Sequence, residues 1–265
     1  MRRGEQLMRR AAGRTVRPLV YRAIDTAFPQ GLRRRIDGEV IRLGMHASRS
    51  YPSTYEPQKA RFLRHHCRPG TTAIDVGAHF GVFAVIMARA VGPSGRVIAF
   101  EPSPDSRVIL AATLAANECT ETVTVRSEAV SEKAGDQQLF VSDGVGDMGN
   151  SLIPHGARSV TVRTLDLDSL NLTQPLSCIK IDAEGSEVDI LRGALKTLTG
   201  QRPALTVEIH PWGLRRHGQT PEDVWSALRE VGYAVFREER RLDKHEFISQ
   251  PDYFEIQALH ESSIP

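Results

Sequence analysis

Ile74-Asp75-Val76-Gly77-Ala78-His79-Phe80-Gly81 closes one apolar run, Thr72–Val76, and opens another, Val82–Val91. The first run has the length of a strand and the second the length of a helix. Gly77 lets the chain turn sharply and lets a ligand approach the backbone, and Gly81 lets the following helix pack closely on a sheet. Free N–H groups at the start of that helix favour an anionic group such as a carboxylate. The spacing is D-x-G-x-x-x-G, which departs from the G-x-G-x-x-G dinucleotide fingerprint. The turn reads as a ligand cradle; a glycine turn that serves packing alone is the alternative.

Outward from this turn, strand and helix signals alternate. Glu56–Cys67 carries apolar residues at helical spacing and is stopped by Pro69-Gly70. Arg96–Phe100 reads as a strand, Asp105–Asn117 as a helix and Thr122–Arg126 as a strand. Gln138–Val141 and Val160–Leu165 form a hairpin-like insertion. Cys178–Ile181, Glu187–Leu198 and Ala204–Ile209 continue the pattern as strand, helix and strand. Pro221–Val231 begins as a helix should, with Thr220 as N-cap and Pro221 at the first helical position. Tyr233–Arg237 and Tyr253–Leu259 are strand-like with no helix expected between them. Alternation of this kind predicts a parallel sheet with helices on both faces. The late strand pair adds an antiparallel element near one edge.

Ligands on such sheets bind at the carboxyl ends of the strands, so the residues that follow each strand carry the functional reading. The second strand ends in Phe100-Glu101-Pro102, an acid about 20 residues past the glycine turn, where it suits two ribose hydroxyls. Pro102 stiffens the loop beside it. Glu128, after the third strand, is placed to accept from a base amino group; a surface glutamate is the alternative. The fourth strand runs into Asp182-Ala183-Glu184-Gly185-Ser186-Glu187, with Asp182 pointing toward the ligand crevice. Glu187, in a first helical turn, reads as structural. The fifth ends in Glu208-Ile209-His210, whose acid and imidazole share a face under period-two alternation.

Together these segments resemble the FkbM family of S-adenosylmethionine-dependent methyltransferases. The matching pieces are Ile74–Gly81, Phe100-Glu101-Pro102, Thr164-Leu165-Asp166, Ile179–Glu187 and Val207-Glu208-Ile209-His210, in the family's order, over roughly residues 55–240. The resemblance implies a Rossmann-like class I methyltransferase fold, an α/β architecture with S-adenosylmethionine as cofactor. With the late strand pair it gives a seven-stranded, mostly parallel sheet with one antiparallel strand, in the order 3-2-1-4-5-7-6. It also implies O-methylation of a hydroxyl on a sugar, glycoconjugate or natural product, and contact of Gly77 and Glu101 with the cofactor. The cofactor side is then Asp75, Gly77, Ala78, Gly81, Glu101, Pro102 and Glu128. The catalytic candidates are Asp182, His210 and Glu184, with Glu208 in support. Metal-free catalysis is expected, because no ligand spacing is diagnostic, although the same acid/imidazole cluster suits a divalent ion. Two other function classes stay open: an NAD(P)-dependent oxidoreductase and a non-catalytic binding domain on the same fold.

Composition sets the remaining bounds. The chain has 265 residues, 40% hydrophobic and 25% charged, with a net charge of +2. That is the balance of an ordinary globule with no overall attraction to nucleic acid. The charge is uneven: Arg2, Arg3, Arg9, Arg10, Arg14 and Arg17 make residues 1–50 a basic, partly helical extension, and 51–265 the methyltransferase domain. The extension reads as a solvated arm or as a peripheral contact with an anionic membrane. Cys67, Cys119 and Cys178 lie far apart, which fits a reducing compartment. With no signal-peptide pattern and no membrane-spanning run, a cytoplasmic location is expected.

Overall fold

The computed structural model describes residues 30–141, 152 and 158–264. The arginines expected to form a basic arm, positions 2–17, lie outside these residues. The described chain opens with a hairpin, β1 (Leu32–Ile36) and β2 (Glu39–Leu43), followed by α1 (Met45–Ser50) and α2 (Pro57–His66). Asp37 and Gly38 make the hairpin turn with φ of 48° and 88°, the positive values that a two-residue turn between twisted strands requires. The Asp37 carboxylate accepts the N–H groups of Tyr55 and Glu56 at 2.9 and 3.0 Å, which ties the hairpin to the start of α2.

The alternating region follows as β3 (Thr72–Val76), α3 (Val82–Val91), β4 (Arg96–Phe100), α4 (Pro104–Ala116) and β5 (Val123–Arg126). A small sheet then forms from β6 (Ala129–Val130), β7 (Gly135–Val141) and β8 (Arg158–Leu165). The chain returns through β9 (Leu176–Ile181), α5 (Glu187–Arg192), α6 (Leu195–Gln201) and β10 (Ala204–Ile209). It ends with α7 (Pro211–Arg216), α8 (Pro221–Glu230), β11 (Tyr233–Arg237), β12 (Arg240–Arg241), α9 (Lys244–Ile248) and β13 (Phe254–His260).

The main sheet runs β12-β11-β13-β10-β9-β3-β4-β5. The expected seven strands are present in the expected order, and the two-residue β12 adds an eighth at the edge. β13 is antiparallel to both β10 and β11, while the strands from β10 to β5 pair in parallel. Central β3 and β9 are buried along their whole length, as strands covered by helices on both faces must be. Two core clusters lie on the two faces. One is built around α3, β1 and β2 with Ile36, Ile41 and Leu43; the other around α5, α8 and β13. The hairpin therefore shares its core with the helix that follows the glycine turn.

Three local expectations change. The helix read over Glu187–Leu198 breaks at Gly193-Ala194, giving α5 and α6. A Cβ on Gly193 would lie 2.2 Å from the Ser131 carbonyl oxygen, so the backbone is pressed against the small sheet and turns there. Pro211 starts a short helix, α7, directly after the fifth parallel strand. A short helix, α9, also stands between β12 and β13, held by a capping box of Asp243 and Glu246. No helix among the described residues is long and apolar enough to cross a membrane, and the three cysteines are buried and unpaired.

Candidate active site

The carboxyl ends of β3, β4, β9 and β10 surround an open cleft. Its centre is the glycine turn. Gly77 and Ala78 both donate their N–H groups to the Phe100 carbonyl at 3.0 Å, which lashes the turn to the end of β4. Gly77 has φ of 75°. A Cβ there would sit 1.9 Å from the Asp182 carbonyl oxygen. Gly77→Ala therefore adds left-handed strain to a backbone collision, each costing about 1–3 kcal/mol. It should lower the melting temperature and empty the cleft of ligand; a variant as stable as the parent by calorimetry would refute this packing.

Glu101 is 5% exposed and follows β4. Its two carboxylate oxygens each accept one backbone N–H, from Ser103 at 2.9 Å and from His79 at 2.7 Å. Burial, only partly offset by these bonds and by Lys180, pushes the carboxyl up to about 7. Each oxygen keeps a lone pair, so the group is set to receive two hydroxyls. Pro102, Val130, Leu139 and Leu152 line the cleft beside it, an apolar slot of the kind that takes a flat ring.

The first-turn assignments divide. Gly77, Ala78, Glu101 and Pro102 line the cleft. Asp75 does not: it is fully buried beneath the turn and its Oδ1 lies 3.0 Å from Lys180 Nζ. Gly81 acts through packing, since a Cβ there would meet the Leu110 side chain at 2.6 Å. Glu128 also lies away from the cleft lining, because Arg126 at the end of β5 holds its carboxylate, Nε to Oε2 at 3.1 Å. Val130 and Leu139 line the cleft, whereas Glu128 does not.

The opposite side of the cleft is acidic. Asp182, Glu184 and Glu208 line it. Glu184 sits in a left-handed conformation, φ 52°, followed by Gly185 at φ 111°, and α7 packs so closely on this loop that a Cβ on Gly213 would lie 2.7 Å from the Glu184 carbonyl oxygen. Burial pushes the Glu184 carboxyl up to about 7. His210 is 4% exposed. Its Nδ1 lies 3.0 Å from Glu187 Oε1, and its Nε2 lies 3.5 Å from both Glu184 Oε2 and Glu208 Oε1. Burial opposes charge on this imidazole, but its bonds to Glu187 and Glu208 and the charge of Glu184 prevail and push it up to about 11. A field that favours the protonated imidazole works against His210 as a general base. Glu187 is fully buried, and its Oε1 meets both the Gly185 N–H at 2.9 Å and His210 Nδ1 at 3.0 Å.

Residues to which the sequence assigned no role complete the site. Lys180, 1% exposed in an otherwise apolar strand, reaches Asp75 and the Gly77 carbonyl at 3.0 and 2.9 Å and comes within 3.8 Å of Asp182. Lys59 of α2, also buried, pairs with Glu56, with Glu208 at 2.8 Å and with Glu255 at 3.9 Å. Its ammonium stands 5.2 Å from the Phe83 ring centre. Tyr51 and Tyr55 form an aromatic wall, ring centres 4.9 Å apart, and the Tyr51 hydroxyl meets His79 Nδ1 at 3.0 Å. A lysine inside an apolar strand is a signal that a sequence can carry; the Lys59 partners Glu208 and Glu255, on two distant strands, leave none. Among the described residues, one acid/imidazole group has metal-ligand geometry: Asp182, Glu208 and His210.

A mixed sheet of this order, with a glycine turn after its central strand and a buried, cleft-lining acid after the next, defines a class I methyltransferase-type domain. Residues 75–235 match the Methyltransferase FkbM domain, and the chain belongs to that family. No curated protein matches it. Solved structures similar in fold include an S-adenosylmethionine-dependent O-methyltransferase from Thermotoga maritima, 15% identical with a TM-score of 0.48, covering 78% of this chain and 65% of the other. A methyltransferase FkbM from Methylobacillus flagellatus KT is 14% identical with a TM-score of 0.47, covering 77% and 51%. An O-methyltransferase from Bacillus cereus in complex with SAH is 15% identical with a TM-score of 0.44, covering 81% and 86%. The chain thus spans 65% and 51% of the length of the first two.

Proposed function

We propose that this methyltransferase uses S-adenosylmethionine to methylate a hydroxyl of a sugar, glycoconjugate or other natural product. The observation that carries this reading is the division of one cleft into two chemistries. On one side Glu101 offers two lone pairs beside an apolar slot, which suits the ribose and base of a nucleoside. On the other, Asp182, Glu184 and Glu208 face an aromatic wall, which suits a polyhydroxylated acceptor. The glycine turn lies between them, where the methyl-bearing sulfonium belongs.

Methyl transfer to oxygen is an in-line displacement at an activated carbon. The protein has mainly to align the acceptor oxygen with the C–S bond and keep water out. The acceptor proton must leave as the C–O bond forms, and a positioned carboxylate receives it. On this reading Asp182 and Glu184, which line the cleft, receive it, and His210, 3.5 Å from both Glu184 and Glu208, holds those acids in register. The reaction class is tested by a screen of sugars, glycolipids and polyketides with methyl-labelled S-adenosylmethionine, alongside titrations with SAH and with NAD. Binding of NAD but not SAH would overturn the assignment.

Glu101 makes the nucleoside half of the reading pH-dependent. Its carboxyl titrates at about 7 in the free protein, and two ribose hydroxyls donate only to the ionised form. Ligand binding thus favours loss of the proton, and protonation competes with binding. SAH affinity should be constant above pH 8 and fall about tenfold by pH 6, since one pH unit below its pKa a carboxyl is about nine-tenths protonated. A flat profile between pH 6 and 8 would argue against Glu101 as the diol acceptor.

A further inference from the structure

Asp182, Glu208 and His210 offer three ligand atoms, one carboxylate oxygen from each acid and one imidazole nitrogen, that all lie within 4.8 Å of one another. Each residue is also held from outside the triad. Lys59 takes Glu208 Oε2 at 2.8 Å, which leaves Oε1 facing His210 Nε2. Glu187 takes His210 Nδ1 at 3.0 Å, the outer carboxylate–imidazole bond that metal-binding histidines generally make. Lys180 stands 3.8 Å from Asp182 Oδ2. The ligands come from the ends of β9 and β10, so their sequence spacing carries no metal signature.

One feature outside the triad points to an occupant. Ser186 is 2% exposed, lines the same cleft, and its Oγ has no hydrogen-bond partner. A buried hydroxyl without a partner is costly, and a bound ion or its water would supply one.

We propose that Asp182, Glu208 and His210 bind one divalent cation. Two carboxylate oxygens and one imidazole nitrogen suit an ion of the Mn²⁺ or Mg²⁺ type. Its open side faces the cleft, where an acceptor hydroxyl would bind and be acidified. That role rests on the methyl-transfer reading; the binding site does not.

The test is calorimetric titration of Mn²⁺ into the full chain after treatment with a chelator. The expected result is one ion per chain, with affinity lowered at least tenfold in Asp182→Asn and in Glu208→Gln. Glu187→Gln, which touches no ion, should also weaken binding, by about 10–100-fold. Melting curves in chelator establish that each variant is folded; Asp182→Asn, whose side chain is partly exposed, decides the matter if the buried variants are not. Absence of saturable binding below millimolar Mn²⁺, or unchanged affinity in Asp182→Asn, overturns the site. SAH is titrated in chelator as a separate arm. SAH binding without Mn²⁺ binding removes the metal site alone, and Mn²⁺ binding without SAH binding upholds the site while removing the cofactor reading.

Discussion

Glu101→Gln should weaken SAH binding by about 10²–10⁴-fold in a calorimetric titration of the folded variant. Two charge-assisted hydrogen bonds to ribose hydroxyls are at stake, each worth about 1.5–3 kcal/mol, and each 1.4 kcal/mol is a factor of ten. The amide is a more searching replacement than alanine. Each carboxylate oxygen of Glu101 already receives a backbone N–H, from Ser103 or from His79. Whichever way the glutamine amide turns, its NH₂ faces one of those donors and withdraws an acceptor from both the loop and the ligand. The loop itself is fastened separately, by the Gly77 and Ala78 bonds to Phe100, so the fold should survive. An affinity within threefold of the parent would sink the ribose assignment.

The second large effect falls on chemistry. Asp182→Asn should lower single-turnover methyl transfer at saturating cofactor by roughly 10²–10⁴-fold, the range typical of a lost proton acceptor. SAH affinity should stay nearly unchanged, because Asp182 lies on the acid-lined side of the cleft, away from Glu101. Glu184→Gln provides the comparison. If Asp182 alone receives the proton, Glu184→Gln keeps most of the rate; if the two share it, both fall. Near-parental rates in both single variants and in the double variant would eliminate the pair.

The strands were legible because burial on both faces writes itself into composition: Thr72–Val76 and Cys178–Ile181 are short, apolar and bounded by turns. The capped start of α8 was legible for a local reason too, since Thr220 and Asp223 satisfy each other's backbone groups within four residues. What escaped was decided by contacts distant in the chain. The break between α5 and α6 depends on the Ser131 carbonyl, a packing partner on another sheet. Lys59 looks like an ordinary surface charge within the segment 56–67, yet it is enclosed because Glu208 and Glu255 meet it across the top of the sheet. Glu128 failed in the other direction: its position after a strand was read correctly, but its neighbour Arg126 claims the carboxylate. His210 shows the limit of reading a residue type without its field. The period-two pattern marks the imidazole as a base, but the acids gathered around it raise its affinity for a proton, which works against that role.

Lys180 touches both halves of the cleft at once. Its ammonium holds the Gly77 carbonyl and Asp75 under the glycine turn and stands beside Asp182 on the acceptor side. A ligand that displaces the turn by even a fraction of an ångström therefore alters the electrostatic field at Asp182. Linkage makes that influence reciprocal: by whatever factor the nucleoside changes the hold on the acceptor, the acceptor changes the hold on the nucleoside. On the proposed reading, the two substrates of the cleft are coupled through one side chain, and spent and fresh cofactor, which differ by a methyl group and a positive charge, should not present the acceptor with the same site.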